Sequence, residues 1–298
     1  YTLSLHDALP ILSIFFAAAF WGLFWIPMRY LDEGGLSAMW AVASVNLAAM
    51  LVAFPVAFWR REITLSNLPW LIALGTGMGF SVVLYFGGLI LSDVIRVTFL
   101  FYLLPIWATL FSKLFFKVSL GPARLIAIGL AFVGIWLLLG GGSWPIPKTI
   151  GDVFGLLSGM GWALGLTFIR GRDDLGGFAT SAMSHLFAFL SAVVLGLALL
   201  NLIPEVQSPL PPLEQIGGLI VPALLFGMLV LWPTIVGQLW GAQFVAATTA
   251  ALLTMSEIVV ATISSTLLEG STLSLISWIG GGLIICAILV DLFAGDNA

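Results

Sequence analysis

QIGGLIVPALLFGMLVLWPTIVGQLWGAQFVAATTAALLTMS, from Gln215 to Ser256, carries no charged side chain and is far too long for a single membrane crossing. A helix needs about 20 apolar residues to span the hydrocarbon, so this stretch holds two helices and a turn. A helix-breaking proline and two glycines place that turn around Trp232, Pro233, Gly237 and Gly241. Working outward, the other charge-free stretches each read as one span. They are Ile11 to Met28, Gly34 to Trp59, Ile63 to Ser92, Val97 to Ser112, Leu125 to Pro147, Val153 to Ile169, Leu175 to Pro204 and Gly270 to Val290. The stretches are much longer than the roughly ten-residue alternating strands of a membrane barrel, so the spans are helices. The expected fold is an all-α integral membrane protein of ten transmembrane helices.

Composition leads to the same solvent. Of 298 residues, 61% are hydrophobic and 8% are charged, and the mean hydropathy is +1.16. A soluble domain carries about 25% charged residues, so this chain lacks the polar surface to clothe a globule in water. The formal net charge of -4 is scattered over loops with no basic block, which leaves no basis for nucleic-acid binding. The single cysteine, Cys286, excludes an intrachain disulfide and reads as buried packing. The first ten residues, YTLSLHDALP, show neither a basic n-region nor a cleavage site, and they read as a doubtful N-terminal segment.

Two blocks of the chain repeat. FWGLFWIPMRYLDEGG, Phe20 to Gly35, aligns with GWALGLTFIRGRDDLG, Gly161 to Gly176, at the separation of Trp21 from Trp162. Arg29 then falls on Arg170, Asp32 on Asp173 and Gly35 on Gly176. LPIWATLFSKLFFKVSLGPARLIAIG, from Leu104, pairs with SEIVVATISSTLLEGSTLSLISWIGG, from Ser256, matching Gly129 to Gly281. The organisation is a first repeat over 11–143, a connector at 144–149 overlapping GGGSWPIPK (Gly140 to Lys148), a second repeat over 150–293, and a tail at 294–298. With an odd number of helices in each half, the second half enters the membrane from the other side. Two inverted halves can expose one central site to each face in turn.

Two five-helix halves, each opening with a Trp-containing helix and the second ending in a Gly-rich one, resemble the EamA-type drug/metabolite transporter superfamily. RVTFLFYLLPIWATLF, Arg96 to Phe111, resembles its bacterial metabolite and amino-acid exporter branch. The family's acidic residue at the end of the fourth helix of each half is Glu269 in the second half, whereas Lys117 stands in the first. The resemblance implies a plasma-membrane carrier with a central cavity, working as a proton-linked exporter or a passive facilitator.

Polar groups inside the hydrocarbon are costly and therefore candidates for function. Glu257, near the middle of the ninth span, is the proton-coupling candidate, because an acid there can take a proton from one face and release it to the other. A free imidazole ionises near neutral pH, so His185 could couple to Glu257 or meet a substrate carboxylate, or simply bond a neighbouring helix. Asn46, Gln238 and Gln243 can bond a polar solute or glue helices. Trp21, Trp162, Tyr85, Tyr102 and Trp240 are candidates for an aromatic cavity wall, against the ordinary role of Trp as an interfacial anchor. Arg96 reads as a snorkelling anchor, and Pro27, Pro105 and Pro233 as sites of bending.

Arg60, Arg61, Lys113, Lys117, Arg124, Arg170 and Arg172 fall on one face, and Arg29, Arg96 and Lys148 on the other. The excess puts both termini in the cytoplasm, and the resemblance implies that the membrane is a bacterial inner membrane. An enzyme would need a nucleophile with its base, a metal cluster or paired carboxylates. The chain has two His and one Cys and no such constellation. The expectation is a transported small-molecule solute, an amino acid or related amphipathic metabolite, with lipid and, if transport is coupled, protons as partners and neither cofactor nor metal; the alternative is a membrane-embedded enzyme or a non-transporting membrane scaffold.

Overall fold

The computed structural model describes residues 5–36, 38–119, 121–142, 146–202, 213–270 and 272–294. Among these residues all regular structure is helical. The first span is α1 (Leu5–Trp21) followed by α2 (Trp25–Glu33), the second α3 (Ala38–Trp59) and the third α4 (Leu68–Leu91). The fourth is α5 (Val94–Phe101) with α6 (Leu104–Phe116), and the fifth is α7 (Pro122–Leu138). The second half runs through α8 (Ile150–Ile169), α9 (Gly177–Leu202) and α10 (Leu213–Phe226), the last continued by α11 (Trp232–Ala242). It closes with α12 (Ala247–Thr254), α13 (Ser256–Glu269) and α14 (Leu275–Ala294). Among the described residues nine helical stretches are long and apolar enough to cross a membrane, and α7 is a shorter apolar helix. This is the ten-helix membrane architecture that the charge-free stretches predict. The last residue of the first repeat, the start of the expected connector and the end of the tail, 143–145 and 295–298, lie outside the described residues.

The turn between the eighth and ninth spans is not where Pro233 and the glycines suggest. The chain stays helical to Ala242 and turns at 243–246 instead, where Gln243 and Phe244 donate backbone bonds to the carbonyls of Trp240 and Gly241. Pro233 is accommodated by a π-helical segment, Gly227–Leu231, in which the Trp232 N–H reaches the Gly227 carbonyl. The wider turn makes room for a ring that would otherwise press on the preceding helical carbonyl. The glycines serve a different purpose. A Cβ on Gly241 would stand 2.6 Å from the Pro10 carbonyl oxygen, and one on Gly237 would stand 3.1 Å from the Ser13 hydroxyl. Spaced one helical turn apart, they let α1 lie against α11, and Ser13 donates to the Gly237 carbonyl at 2.8 Å. Cys286, expected in buried packing, is exposed on α14.

Contacts between spans come in matched sets. The second span packs on the seventh (α3 on α9) and the fifth on the tenth (α7 on α14), each against its own equivalent. The third lies on the sixth (α4 on α8), as the eighth lies on the first (α11 on α1). The fourth lies on the sixth (α5 and α6 on α8), as the ninth lies on the first (α12 and α13 on α1). Exchanging the halves therefore maps one set of contacts onto the other. Because five spans precede the second half, that exchange also inverts it across the bilayer.

Candidate functional site

Three spans are interrupted at mid-depth, and two of these interruptions have a proline just beyond them. Pro27 has no N–H to offer the Leu23 carbonyl, which accepts from Ile26 instead, and the first span breaks at Gly22–Phe24. The fourth breaks at Tyr102–Leu103, just ahead of Pro105, and the ninth at Met255. Each interruption delivers side chains to one small chamber. Trp21 comes from the end of α1, Phe101 from the end of α5, Thr254 from the end of α12 and Glu257 from the first turn of α13. Tyr85 on α4, Trp162 on α8 and Gln238 on α11 add to the wall, with Ser81, Val82, Ser158 and Ile235.

Aromatic rings dominate the lining. Tyr85 and Phe101 lie 4.8 Å apart between centroids, and Trp21 stacks on Phe24 at 4.5 Å. The Gln238 side-chain amide donates to the Thr254 hydroxyl at 3.0 Å, which orients its carbonyl. Tyr102 and Glu257 both line the cavity beside the chamber. The Trp162 indole N–H is buried with no acceptor, a donor left over after the fold has formed. Gly22 lets the first span approach this point, since a Cβ there would stand 2.3 Å from the Glu257 carbonyl oxygen. The chamber holds about 30 Å³, room for a water or two.

The surroundings of the chamber are unequal on its two sides. Toward the face on which α1 begins, α6 packs against α12, and the hydroxyls of Thr109 and Thr248 are bonded at 2.8 Å. Toward the opposite face, a cavity of about 340 Å³ reaches Trp21, Tyr85, Tyr102 and Glu257. It opens between α5, which contributes Val94 and Thr98, and α13, which contributes Ala261, Thr262 and Ser265. In the repeat alignment α6 corresponds to α13 and α12 to α5. The packed seam and the open cleft are thus equivalent places in the two repeats.

A model of the EamA-like transporter family matches residues 8–140 and again 149–292. The chain belongs to the EamA-like transporter family. A crystal structure described only as that of a protein superposes with a TM-score of 0.70 at 18% identity, covering 94% of this chain and 96% of the other. At that identity the likeness speaks for the fold alone. No curated protein matches. This EamA chain is therefore a multi-pass membrane protein of transporter type, with one family unit in each half.

Of the residues singled out from sequence, Trp21, Tyr85, Trp162, Gln238 and Glu257 meet in the chamber, and Tyr102 joins Trp21, Tyr85 and Glu257 in the wider cavity. Asn46 and His185 do not reach it. They pair with each other at the α3–α9 interface, where the His185 Nδ1 and the Asn46 side-chain oxygen are 2.9 Å apart. The Asn46 amide nitrogen donates to the Val42 carbonyl, so its oxygen is the acceptor and Nδ1 the donor. Trp240 lies in a surface groove against α1, and Gln243 is buried at the turn. The Glu269 side chain lies outside the described side chains. Arg96, read as an anchor, is instead paired at 3.1 Å with the fully buried Asp152 on α8. In the loop after α8, Arg172 bonds Asp174 at 2.6 Å and holds that carboxyl below its ordinary range.

Sequence reasoning missed Phe101 and Thr254, which flank two of the interruptions, and the Ser81–Ser158 pair whose hydroxyls each donate to the other's carbonyl. The second repeat block held the signal for one of them. Its alignment sets Thr254 opposite Tyr102 and Glu257 opposite Pro105.

Proposed function

We propose that the protein is a secondary transporter of the bacterial inner membrane that exports a small polar or amphipathic metabolite, an amino acid or related compound, by alternating access. The observation behind this reading is the inequality of the two equivalent seams around Glu257, one closed at Thr109–Thr248 and the other opened by a cavity. With both termini cytoplasmic, the open cleft faces outward. The aromatic wall suits the apolar body of an amphipathic solute, while the Trp162 N–H and the Gln238 carbonyl are hydrogen-bonding groups for its polar end.

Glu257 is assigned the coupling proton. A carboxyl in the hydrocarbon is costly when charged, so moving it between faces favours a protonated or ligand-paired state. Purified protein in liposomes should show saturable flux of candidate amino acids, accelerated by a pH gradient. Glu257→Gln should leave the protein folded and exchange intact but remove the acceleration. Undiminished gradient-driven flux in that variant would dismiss Glu257 from the coupling. Absence of saturable flux for any amphipathic amine or amino acid would dismiss the carrier reading.

A further inference from the structure

Asp291 is among the most deeply buried carboxylates of the protein, and nothing in the transport site touches it. It sits near the end of α14, its side chain about 1% exposed, and one oxygen is paired with the Arg124 Nε at 3.1 Å. Arg124 belongs to α7, so the ion pair lies within the tightly packed fifth and tenth spans. The second carboxylate oxygen accepts a hydrogen bond of 2.5 Å from the Thr249 hydroxyl on α12. That half-helix, ATTAALLT, is buried throughout and lacks a side-chain N-cap. It is separated from α11 by the turn at 243–246 and from α13 by the interruption at Met255. Adjacent threonines therefore hold it on two sides, Thr248 to α6 across the sealed seam and Thr249 to Asp291 behind it.

The equivalent half-helix in the other repeat is α5, and it too is tied to a buried aspartate outside the seam. Arg96, which the repeat alignment sets opposite Thr248, bonds Asp152 on α8. The position opposite Thr249 is Val97, so α5, whose cleft is open, has no counterpart of the bond from Thr249 to Asp291.

We propose that Asp291 is a positioning residue that latches α12 through Thr249, holding the α6–α12 seam shut while the opposite cleft is open. The proposal rests on the carrier reading. Sealing that face is set by a charge-assisted hydrogen bond, while Arg124 balances the carboxylate in both conditions. Opening the seam requires that α12 leave Thr109 and Asp291 together.

Water access to each side can be read without a substrate. In a Cys286→Ser background, Ser112→Cys reports on α6 near the seam and Thr262→Cys on the open cleft. Thr249→Val removes the hydroxyl and keeps the volume. It should raise the maleimide labelling rate at position 112 by about tenfold, the scale of losing one hydrogen bond to a charged group, and lower the rate at position 262. Thr249→Ser should restore both rates, which a merely structural role would not do. Thr249→Ala serves if the valine variant does not fold. Unchanged rates in a folded Thr249 variant overturn the latch. If Thr109→Val still shifts the two rates in opposite directions, the seam and the carrier reading stand without it. If neither variant moves either rate and no flux is found, both fall.

Discussion

Gly22 illustrates how tightly single residues are constrained around Glu257. Its missing side chain lets the first span touch the ninth at the Glu257 carbonyl, so Gly22→Ala should push the two apart. A loss of about 1–3 kcal/mol is expected for overpacking of this kind, seen as a lower melting temperature in detergent. Trp162→Phe keeps a ring but deletes the unpartnered indole N–H. If the solute accepts that hydrogen bond, KM should rise roughly tenfold at unchanged melting temperature, and an unchanged KM would free the indole of that role. Glu257 and the Trp21–Trp162 pair were legible in the sequence because an acid in an apolar run and a repeated indole both stand out locally. His185 and Asn46 were legible as polar groups, but their partnership was not. Which face of α9 meets α3 depends on packing, which the nearly uniform apolar pattern of both helices does not encode.

Helices and their junctions were read with mixed success, and the reason differs from one to the next. The prolines at 27 and 105 stand beside true interruptions because each lies just past a point where the chain also leaves the helical path. Pro233 is absorbed by a π turn, and Gly237 and Gly241 are needed for contact with α1 rather than for reversal. Residue type reports a need for small size or a missing donor without saying which need applies. Asp152 and Asp291 sit at the margins of apolar runs and read as span ends, yet both are buried and bonded to other spans. Arg124→Gln should leave the Asp291 carboxylate uncompensated and destabilise the protein by about 3–5 kcal/mol. Pairing it with Asp291→Asn should recover much of that loss in a thermal unfolding cycle. Equal melting temperatures for the single and double variants would show that the pair contributes nothing to stability.

The architecture of the whole molecule was the most legible level, since span count and parity follow from run lengths, and inversion follows from an odd number of spans in each half. Orientation is a separate matter, set by which loops resist translocation. Reporter fusions at either end should give cytoplasmic signals, fluorescent with a green fluorescent protein and inactive with alkaline phosphatase. A periplasmic signal at both ends would turn the open cleft toward the cell interior.

The fifth span has a mechanical consequence for the surrounding lipid. At 17 residues, α7 reaches only about 25 Å along its axis, against hydrocarbon about 30 Å thick. Acyl chains beside it must shorten or tilt, so the bilayer is pinched along one flank of the protein. Reconstitution into lipids with progressively longer tails should therefore slow turnover, and shorter tails should relieve the deformation.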